Sequence, residues 1–203
     1  MNKSSVVAQD NSAYGIGTRI LVSNKSKAQT LDEAKLAKID DAYVRMSVRL
    51  QAVFGLRREE AIKFSPSEAF RGDHIALKAS WTKGGRPRTI PITNGYQYVL
   101  LDQVRELVKG GALIPAQLNY IQQQRRYDRQ TRKAGMKNLH GLRHAYAQRR
   151  YKQLTGWNCP ARGGPASKKL SQKQRVIDEQ ARLTISHELG HGRATITAVY
   201  IGT

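Results

Sequence analysis

The spacing of apolar residues predicts a mainly helical protein. Over residues 36–53, apolar side chains recur at alternating spacings of three and four, which is the period of an amphipathic helix. We expect one long helix here, or two helices that break near Asp40 and Asp41, with a capping box of Thr30 and Glu33 at the start. Further helical patterns cover residues 57–63, 96–107, 115–133, 145–154 and 172–189.

One part of the chain follows the period of a β-strand instead. Apolar and polar residues alternate over residues 74–81 and again over residues 88–92, with Thr82-Lys83-Gly84-Gly85 between them. This pattern predicts an antiparallel hairpin that carries Lys83 at its tip. The predicted fold class is therefore α+β, mainly α-helical with a small antiparallel β-sheet.

Composition suggests how the chain is divided. Residues 1–25 are polar and rich in Ser and Asn, and they lack a sustained period, so we interpret them as an N-terminal tail or linker. The remaining residues, 26–203, are long enough to form one domain with a sizeable core. Within this domain, residues 156–175 are rich in Gly, Pro, Lys and Ser, which predicts an exposed loop or insertion.

The last segment of the chain sets a histidine and a tyrosine on either side of a glycine. On one straight helix, His191 and Tyr200 would lie about 13 Å apart on opposite faces. We expect a bend instead, with Gly192 in the left-handed conformation and Thr195 capping a short last helix that folds Tyr200 back toward His191. Taken alone, a tyrosine in such a place is more often a packing residue than a nucleophile.

The charge of the protein changes this picture. Lys and Arg number 35, Asp and Glu number 15, and the formal net charge is +20. So large an excess costs self-repulsion and favours a polyanionic partner, for which we predict nucleic acid. A membrane surface is the weaker alternative, because the sequence shows no basic amphipathic anchor and no apolar run of transmembrane length.

Two features of the sequence indicate the cytoplasm. The single cysteine, Cys159, excludes an internal disulfide framework and fits a reducing compartment. The sequence also starts without the pattern of a signal peptide.

Two groups of basic residues are candidate DNA contacts. Arg86 and Arg88 follow Lys83 on the predicted hairpin, and a positive stripe runs along the predicted helix over residues 115–133. The members of this stripe are Arg125, Arg129, Arg132 and Lys133. Charged faces of this kind are most often only solvated, but on so basic a protein we expect contact with a phosphate backbone at least as readily.

Six residues have the chemistry that phosphodiester transfer needs when no metal takes part. They are Arg57, Lys83, His140, Arg143, His191 and Tyr200. Arginines can hold the non-bridging oxygens bidentately and stabilise the charge that develops there. A tyrosine hydroxyl needs a cationic pocket or a base before it can attack, and the leaving oxygen needs a proton donor, which a lysine or histidine can supply.

One motif supports a different class of function. His187-Glu188-Leu189-Gly190-His191 matches the H-E-x-x-H pattern, in which two histidines one helical turn apart bind zinc beside a glutamate base. Two observations weigh against it. Residues 192–203 contain no His, Asp, Glu or Cys as a third ligand, and the glycine inside the motif weakens the helix that must aim both histidines. We therefore expect no metal and no other cofactor.

Four motifs occur in a recognisable order along the chain. They are Gly55-Leu56-Arg57-Arg58-Glu59-Glu60, Thr82-Lys83-Gly84-Gly85, His140-x-x-Arg143-His144, and Leu189-Gly190-His191 followed by Tyr200. In this order they resemble the motifs of the tyrosine recombinase, or phage integrase, catalytic domain. The resemblance covers residues 30–203 and implies the fold of that DNA breaking and rejoining domain. Each motif is weak alone, but all of them in sequence form a strong signal.

The resemblance implies the chemical steps of the reaction. Tyr200 attacks the scissile phosphate and leaves a 3′-phosphotyrosine and a free 5′-hydroxyl. Lys83 is the general acid to the 5′ oxygen, and His140 assists as a proton relay or hydrogen-bond donor. The bond energy stays in the phosphotyrosine, so neither a metal nor ATP is implied.

The same resemblance implies how the phosphate is held. Arg57, Arg143 and His191 bind and stabilise it, and Glu60 supports them by bracing an arginine or His140.

Members of the family act as tetramers around two duplexes, through a Holliday-junction intermediate. The resemblance therefore implies double-stranded DNA as the partner, with a homotetramer on DNA and a monomer in isolation. It also implies directionality or architectural accessory proteins, and a cytoplasmic place beside the nucleoid of a bacterial or phage-infected cell.

The sequence departs from the family pattern in three ways. The helical core-binding domain that completes the clamp on DNA is not recognisable, so we expect a fragment. The interval between Arg143 and His191 is longer than is typical, and only residues 201–203 follow Tyr200, where many relatives have a helix that docks on a neighbouring protomer. Two alternatives stay open beside a recombinase: a type IB topoisomerase, which shares this catalytic set, and a DNA-binding module without catalysis.

Overall fold

The structure, a computed structural model, describes Gly15 and residues 22–203. Helices α1 to α9 span Glu33–Ala37, Ala42–Phe54, Arg58–Ile62, Pro66–Ala69, Gly95–Val108, Tyr120–Lys133, His140–Thr155, Gln172–Glu188 and Ala194–Ile201. Strands β1 and β2 span His74–Leu77 and Arg88–Pro91. This architecture confirms the predicted fold class. Most of the predicted tail over residues 1–25 lies outside the described residues.

The apolar stripe over residues 36–53 divides into two helices. Asp32 caps α1 and Asp41 caps α2, each by accepting a hydrogen bond at 3.0 Å from the backbone N–H three residues on. The chain therefore breaks at the pair of aspartates, as one of the two alternatives predicted. The predicted capping box of Thr30 and Glu33 is wrong, because α1 begins at Glu33 itself and Asp32 takes the cap position.

The hairpin is shorter than its sequence pattern predicted. β1 and β2 pair antiparallel with Ile75 opposite Ile90, but β1 ends at Leu77. A short 3-10 helix, Ala79–Trp81, follows it and turns the indole of Trp81 toward Phe64, with ring centroids 6.1 Å apart. Burial of this aromatic pair draws the chain inward and ends the strand.

The later helices agree with the predicted pattern except at their ends. α6 begins at Tyr120, not Pro115, because Asn119 and Gln122 form a reciprocal capping box there. α8 begins at Gln172, as predicted, and so includes the last residues of the predicted loop over residues 156–175. The rest of that loop, residues 156–171, contains short 3-10 helices and is bound to α8 through Ser167, whose Oγ donates to Asp178 at 3.4 Å.

The helices enclose two apolar clusters. The larger cluster includes Phe54, Ile90 and Ile201, and the smaller one includes Leu36 and Tyr127. Full burial of a large apolar side chain stabilises a fold by roughly 1.5–3 kcal/mol. Ile201 therefore anchors α9, which has only eight residues and would not be stable as an isolated helix.

Within residues 22–203, no helix combines the length and apolar character that crossing a membrane requires.

Candidate active site

The chain reverses direction between α8 and α9. α8 ends at Glu188, and Gly190 takes the left-handed conformation with φ of 70°. α9 then starts at Ala194 with Arg193 in the cap position. The predicted bend is therefore present, but the prediction that Gly192 and Thr195 form it is wrong, because α8 ends early enough for Gly190 to make the turn.

This bend brings the Tyr200 hydroxyl to two basic side chains. The hydroxyl oxygen lies 3.4 Å from His191 Nε2 and 3.4 Å from Arg143 Nε. The Arg143 guanidinium also lies over the Tyr200 ring, 5.7 Å from its centroid. A tyrosine that only fills the core would have no need of a buried guanidinium beside its hydroxyl.

Arg143 is buried at the centre of the site, with 1% of its surface exposed. Its Nη1 donates to the carbonyl of Gly55 at 2.5 Å, and its Nη2 donates to the carbonyl of Leu189. One side chain thus joins the ends of α2 and α8 to the hydroxyl of Tyr200 on α9. Burial lowers the pKa of the Arg143 guanidinium to about 10, so it remains charged at neutral pH.

Gly55 is needed for this close approach. It ends α2 in the left-handed conformation with φ of 64°. A Cβ at this position would lie 2.5 Å from the Tyr146 ring, which is closer than van der Waals contact allows. The backbone of Gly55 can therefore approach α7 and offer its carbonyl to Arg143.

A buried carboxylate holds two further arginines. Glu60 is fully buried and accepts a hydrogen bond from Arg57 Nη1 at 3.0 Å and two from Arg88, at 2.8 and 2.6 Å. Burial alone would raise the pKa of the Glu60 carboxyl, but the hydrogen bonds and charge of Arg88 lower it to about 2. The Arg57 side chain is 22% exposed, so its outer edge can still donate to a ligand.

Arg88, which we predicted as a DNA contact, is buried among protein groups. Its side chain is only 5% exposed, and its Nε donates to the carbonyl of Glu188 at 2.8 Å while its other nitrogens bind Glu60. The strand period contained the signal, because Arg88 and Ile90 alternate with Thr89 and so share the inward face of β2. Arg88 is a brace between Glu60 and the end of α8.

Three imidazoles surround the ring of Tyr200. The ring centroids of His140, His144 and His191 lie 6.0, 4.8 and 5.9 Å from its centroid. Burial, with the charge of Arg143 as a further cause, lowers the pKa of His191 to about 4 and also lowers the pKa of His140. Burial and then the charge of His140 lower the pKa of His144 to about 4. These imidazoles are neutral at pH 7.

Sequence reasoning did not select His144 as a site residue. It lies four residues after His140, a spacing that places both side chains on one face of α7. Its ring is nearer to Tyr200 than that of His140. The spacing within the motif was the available signal.

Lys83 lies outside this cluster. It is exposed on the loop of residues 82–87, and among the described residues it makes no hydrogen bond or ion pair. Arg86, on the same loop, is exposed. Its side chain extends to the segment between α8 and α9, where its Nη1 would lie 3.3 Å from a Cβ on Gly192. Arg86 also lines a cleft of about 250 Å³ with His187 and His191.

The sequence of the chain matches a known protein family. The family model described as Integrase matches residues 11–149. The chain belongs to the tyrosine recombinase, or integrase, family. No curated protein matches its sequence.

Solved structures of recombinases have a similar fold. A lambda integrase dimer bound to a COC′ core site aligns with a TM-score of 0.56 and 18% identity, over 87% of this chain and 47% of that one. A lambda integrase tetramer bound to a Holliday junction gives 0.52 and 17%, over 93% and 53%. XerH recombinase bound to a palindromic difH substrate gives 0.50 and 20%, over 86% and 48%. The chain therefore spans about half the length of these proteins.

A second cleft of the protein, of about 330 Å³, opens beside Arg57 and His140. Asp128 and Thr131 of α6 form its opposite wall, and Arg58 binds Asp128 across it at 2.8 Å. The cleft leads from the buried arginines to the basic helix.

The predicted positive stripe lies on α6. Arg125, Arg129 and Arg132 are exposed, and their spacing places them on one face of the helix, next to Asp128. Lys133 is also exposed, but its Nζ pairs with Asp40 at 3.0 Å.

The H-E-x-x-H motif of the chain does not form the geometry of a zinc site. α8 ends at Glu188, so His187 and His191 are not one turn apart on one helix. Glu188 is buried and accepts hydrogen bonds from Tyr146 at 2.7 Å and Arg150 at 2.9 Å. Within the described part of the chain, no three His, Cys, Asp or Glu residues are grouped to hold a metal ion.

Proposed function

We propose that this chain is the catalytic domain of a site-specific DNA recombinase, or integrase, which cuts and rejoins DNA through a 3′-phosphotyrosine. The main support for the proposal is the position of the Tyr200 hydroxyl, which lies 3.4 Å from both Arg143 Nε and His191 Nε2. Family membership and the similar fold of DNA-bound recombinases support the same function.

The reaction exchanges one phosphodiester for another. The Tyr200 oxygen forms a bond to phosphorus and the bond from phosphorus to the 5′ oxygen breaks. The tyrosine proton passes to a neutral imidazole, for which His191 is well situated, with its Nε2 at 3.4 Å. The 5′ oxygen takes a proton from Lys83, and attack by a 5′-hydroxyl reverses the sequence.

Two arginines stabilise the pentacovalent phosphate. Arg57 offers the exposed edge of its guanidinium, and Glu60 fixes the other edge at 3.0 Å. Arg143 offers Nε, next to the attacking oxygen, while its Nη atoms are held by backbone carbonyls. Donors that are already oriented need little reorganisation as charge develops, which is the basis of their effect on rate.

The proposed role of Lys83 requires its loop to close over the duplex. The loop holds Gly84 and Gly85 at φ of 84° and 65° and is exposed. A phosphate beside His191 would attract both Lys83 and Arg86 toward the site.

The proposed partner is double-stranded DNA, on which the protein assembles as a homotetramer. The exposed arginines of α6 and Arg86 give the domain its contacts with the backbone. Accessory proteins that set the direction of recombination are part of the same proposal. The catalytic steps use no metal and no nucleotide cofactor.

Trapping on suicide duplexes tests this function. Duplexes with a nick near randomised target positions lose the 5′-hydroxyl fragment after cleavage, so a covalent adduct accumulates. We expect adducts linked to a 3′-phosphate, in the presence of a chelator, and strand transfer when a second cleaved duplex is supplied. Relaxation of supercoiled DNA without transfer to a second duplex would indicate a topoisomerase, and DNA binding without an adduct would indicate a binding module.

A further inference from the structure

The segment of residues 23–29, which we call the strap, crosses the domain next to the nucleophile. Its Asn24 binds the backbone just beyond α9 at two points. The side-chain amide donates to the carbonyl of Thr203 at 3.1 Å, and Oδ1 accepts from the N–H of Thr203 at 2.9 Å. A Cβ on Gly202 would lie 2.4 Å from the same Oδ1, so the contact is tight.

A second contact leads from the strap to the backbone of the nucleophile. Ser26 Oγ donates to Gln148 Oε1 at 3.1 Å. Gln148 is buried, and its Nε2 donates to the carbonyl of Tyr200 at 2.9 Å. Ser26 of the strap therefore orients the Gln148 amide, and the amide in turn binds the backbone of Tyr200.

A third contact fixes the strap against the start of α7. The N–H of Gln29 donates to the carbonyl of Gly141 at 3.0 Å. A Cβ on Gly141 would lie 2.6 Å from Gln29 Cγ and 2.9 Å from the carbonyl oxygen of Lys27. Only glycine allows this approach, which gives a physical reason for the glycine between His140 and Arg143.

The helix that carries Tyr200 needs such external support. α9 has eight residues, and Arg193 at its start makes no side-chain cap. Nothing within so short a helix fixes its position, so contacts from other elements must do so. A displacement of about 1 Å at a reacting group can cost on the order of 10² in rate.

We propose that the strap is a positioning device for the nucleophile, and that Asn24 and Ser26 are positioning residues for Tyr200. They touch neither the phosphate nor the hydroxyl. They hold the C-terminal end of α9 so that the hydroxyl stays between Arg143 and His191. This inference rests on the proposed function for its catalytic consequence, but the restraint on α9 is a property of the free protein.

The test uses the full chain with Asn24→Ala and Ser26→Ala combined. Hydrogen–deuterium exchange of peptides from residues 194–203 should become about five- to tenfold faster, since two restraints on the helix are lost. Single-turnover cleavage at saturating protein should slow about tenfold, while affinity for the duplex stays within about twofold. Asn158→Ala, at an exposed asparagine in another loop, is the matched control and should change neither value.

Gly141→Ala tests the strap from its other end. Alanine favours a helix more than glycine does, by about 1 kcal/mol, yet its Cβ should displace the strap and produce the same faster exchange of residues 194–203.

Unchanged exchange in both the double variant and Gly141→Ala would overturn the proposal. A loss of DNA affinity equal to the loss of rate would also overturn it, because the strap would then act in binding. If the unaltered protein forms no adduct, the proposed function fails, and the exchange experiment still decides whether the strap restrains α9.

Discussion

Arg57 and Arg143 carry the same group in different environments. Arg143 is buried and donates to the carbonyls of Gly55 and Leu189, whereas Arg57 is partly exposed and donates to Glu60. Loss of Arg143 would leave buried carbonyls without donors, which costs about 1–3 kcal/mol for each unsatisfied group. The two arginines should therefore differ in their effect on stability and agree in their effect on the reaction.

Replacement of each arginine by lysine tests this distinction. Lysine keeps the charge and lacks the planar fork, so Arg57→Lys and Arg143→Lys should each slow cleavage of bound DNA on the order of 10²- to 10³-fold. Only Arg143→Lys should also lower the melting temperature by several degrees. Single-turnover cleavage of a nicked duplex at saturating protein, with thermal unfolding of the same samples, measures both effects.

Arg129→Lys is the control, since Arg129 is exposed on α6 and contacts none of the residues near Tyr200. It should leave the cleavage rate of bound DNA and the melting temperature almost unchanged. An equal loss of rate from Arg129→Lys would mean that the basic surface as a whole, and not a specific site, determines the rate.

At the level of single residues, chemistry was easier to predict than environment. Residue types and motif order selected the cluster of Arg57, Arg143, His191 and Tyr200. They did not distinguish Arg88, which forms a buried brace, from Arg86, which is exposed. The difference depends on which face of β2 meets Glu60 and the end of α8, and composition does not contain that information.

Helix α7 and the segment between α8 and α9 each place a neutral imidazole against Tyr200. Folding lowers the pKa of His144 on α7 to about 4, and it lowers the pKa of His191, between α8 and α9, to about 4 as well, from an ordinary value near 6.5. Between these pH values the unfolded chain binds more protons than the folded one. Stability therefore falls as the pH is lowered from about 6.5 to about 4.

Denaturant unfolding of the free protein at pH 7, 5.5 and 4.5 measures this dependence. The free energy of unfolding should decrease at each step, and His144→Gln should make the decrease smaller. Below about pH 4.5, protonation of Glu60, whose pKa is lowered to about 2, should destabilise the fold further. Equal stability at pH 7 and pH 4.5 would show that these imidazoles are not held neutral by the fold.

At the level of elements, most helices followed from the period of the chain, and their ends did not. Asp32 and Asn119 decide where α1 and α6 begin, and a pattern of apolar residues does not show which of several polar residues will cap. β1 ends early because Trp81 packs on Phe64, a contact with a residue distant in sequence. The sequence predicted a bend before α9, but it placed the bend at Gly192, whereas Gly190 makes the turn.

The whole molecule carries a formal net charge of +20, and many lysines and arginines among residues 22–203 are exposed. The predicted consequence is a steep salt dependence of DNA binding, with a slope of log K against log salt of about −0.9 for each phosphate neutralised. Titrations of a duplex at several salt concentrations measure the slope. Arg125→Gln and Arg132→Gln should each make it less steep by about one unit, and a flat response would show that the charge serves another partner.

At this scale the sequence predicted the family and the fold class, because both depend on the order of motifs and on hydrophobic period. It did not predict the strap. Asn24 and Thr203 are 179 positions apart in the chain, and neither belongs to a recognisable motif. A single sequence carries no signal for such a pair. The division of the chain into a tail over residues 1–25 and a domain over residues 26–203 stays a prediction.

The most direct test of this account is the identity of the residue that becomes covalently attached to DNA. Tyr200→Phe removes one hydroxyl from a side chain whose ring is packed among three imidazoles, so the fold and DNA binding should be retained. Suicide-duplex trapping followed by mass spectrometry of the nucleotide-bearing peptide should identify Tyr200 in the unaltered protein and no adduct in Tyr200→Phe. An adduct that persists in Tyr200→Phe, or one that maps to Tyr146 or Tyr151, would contradict the central claim.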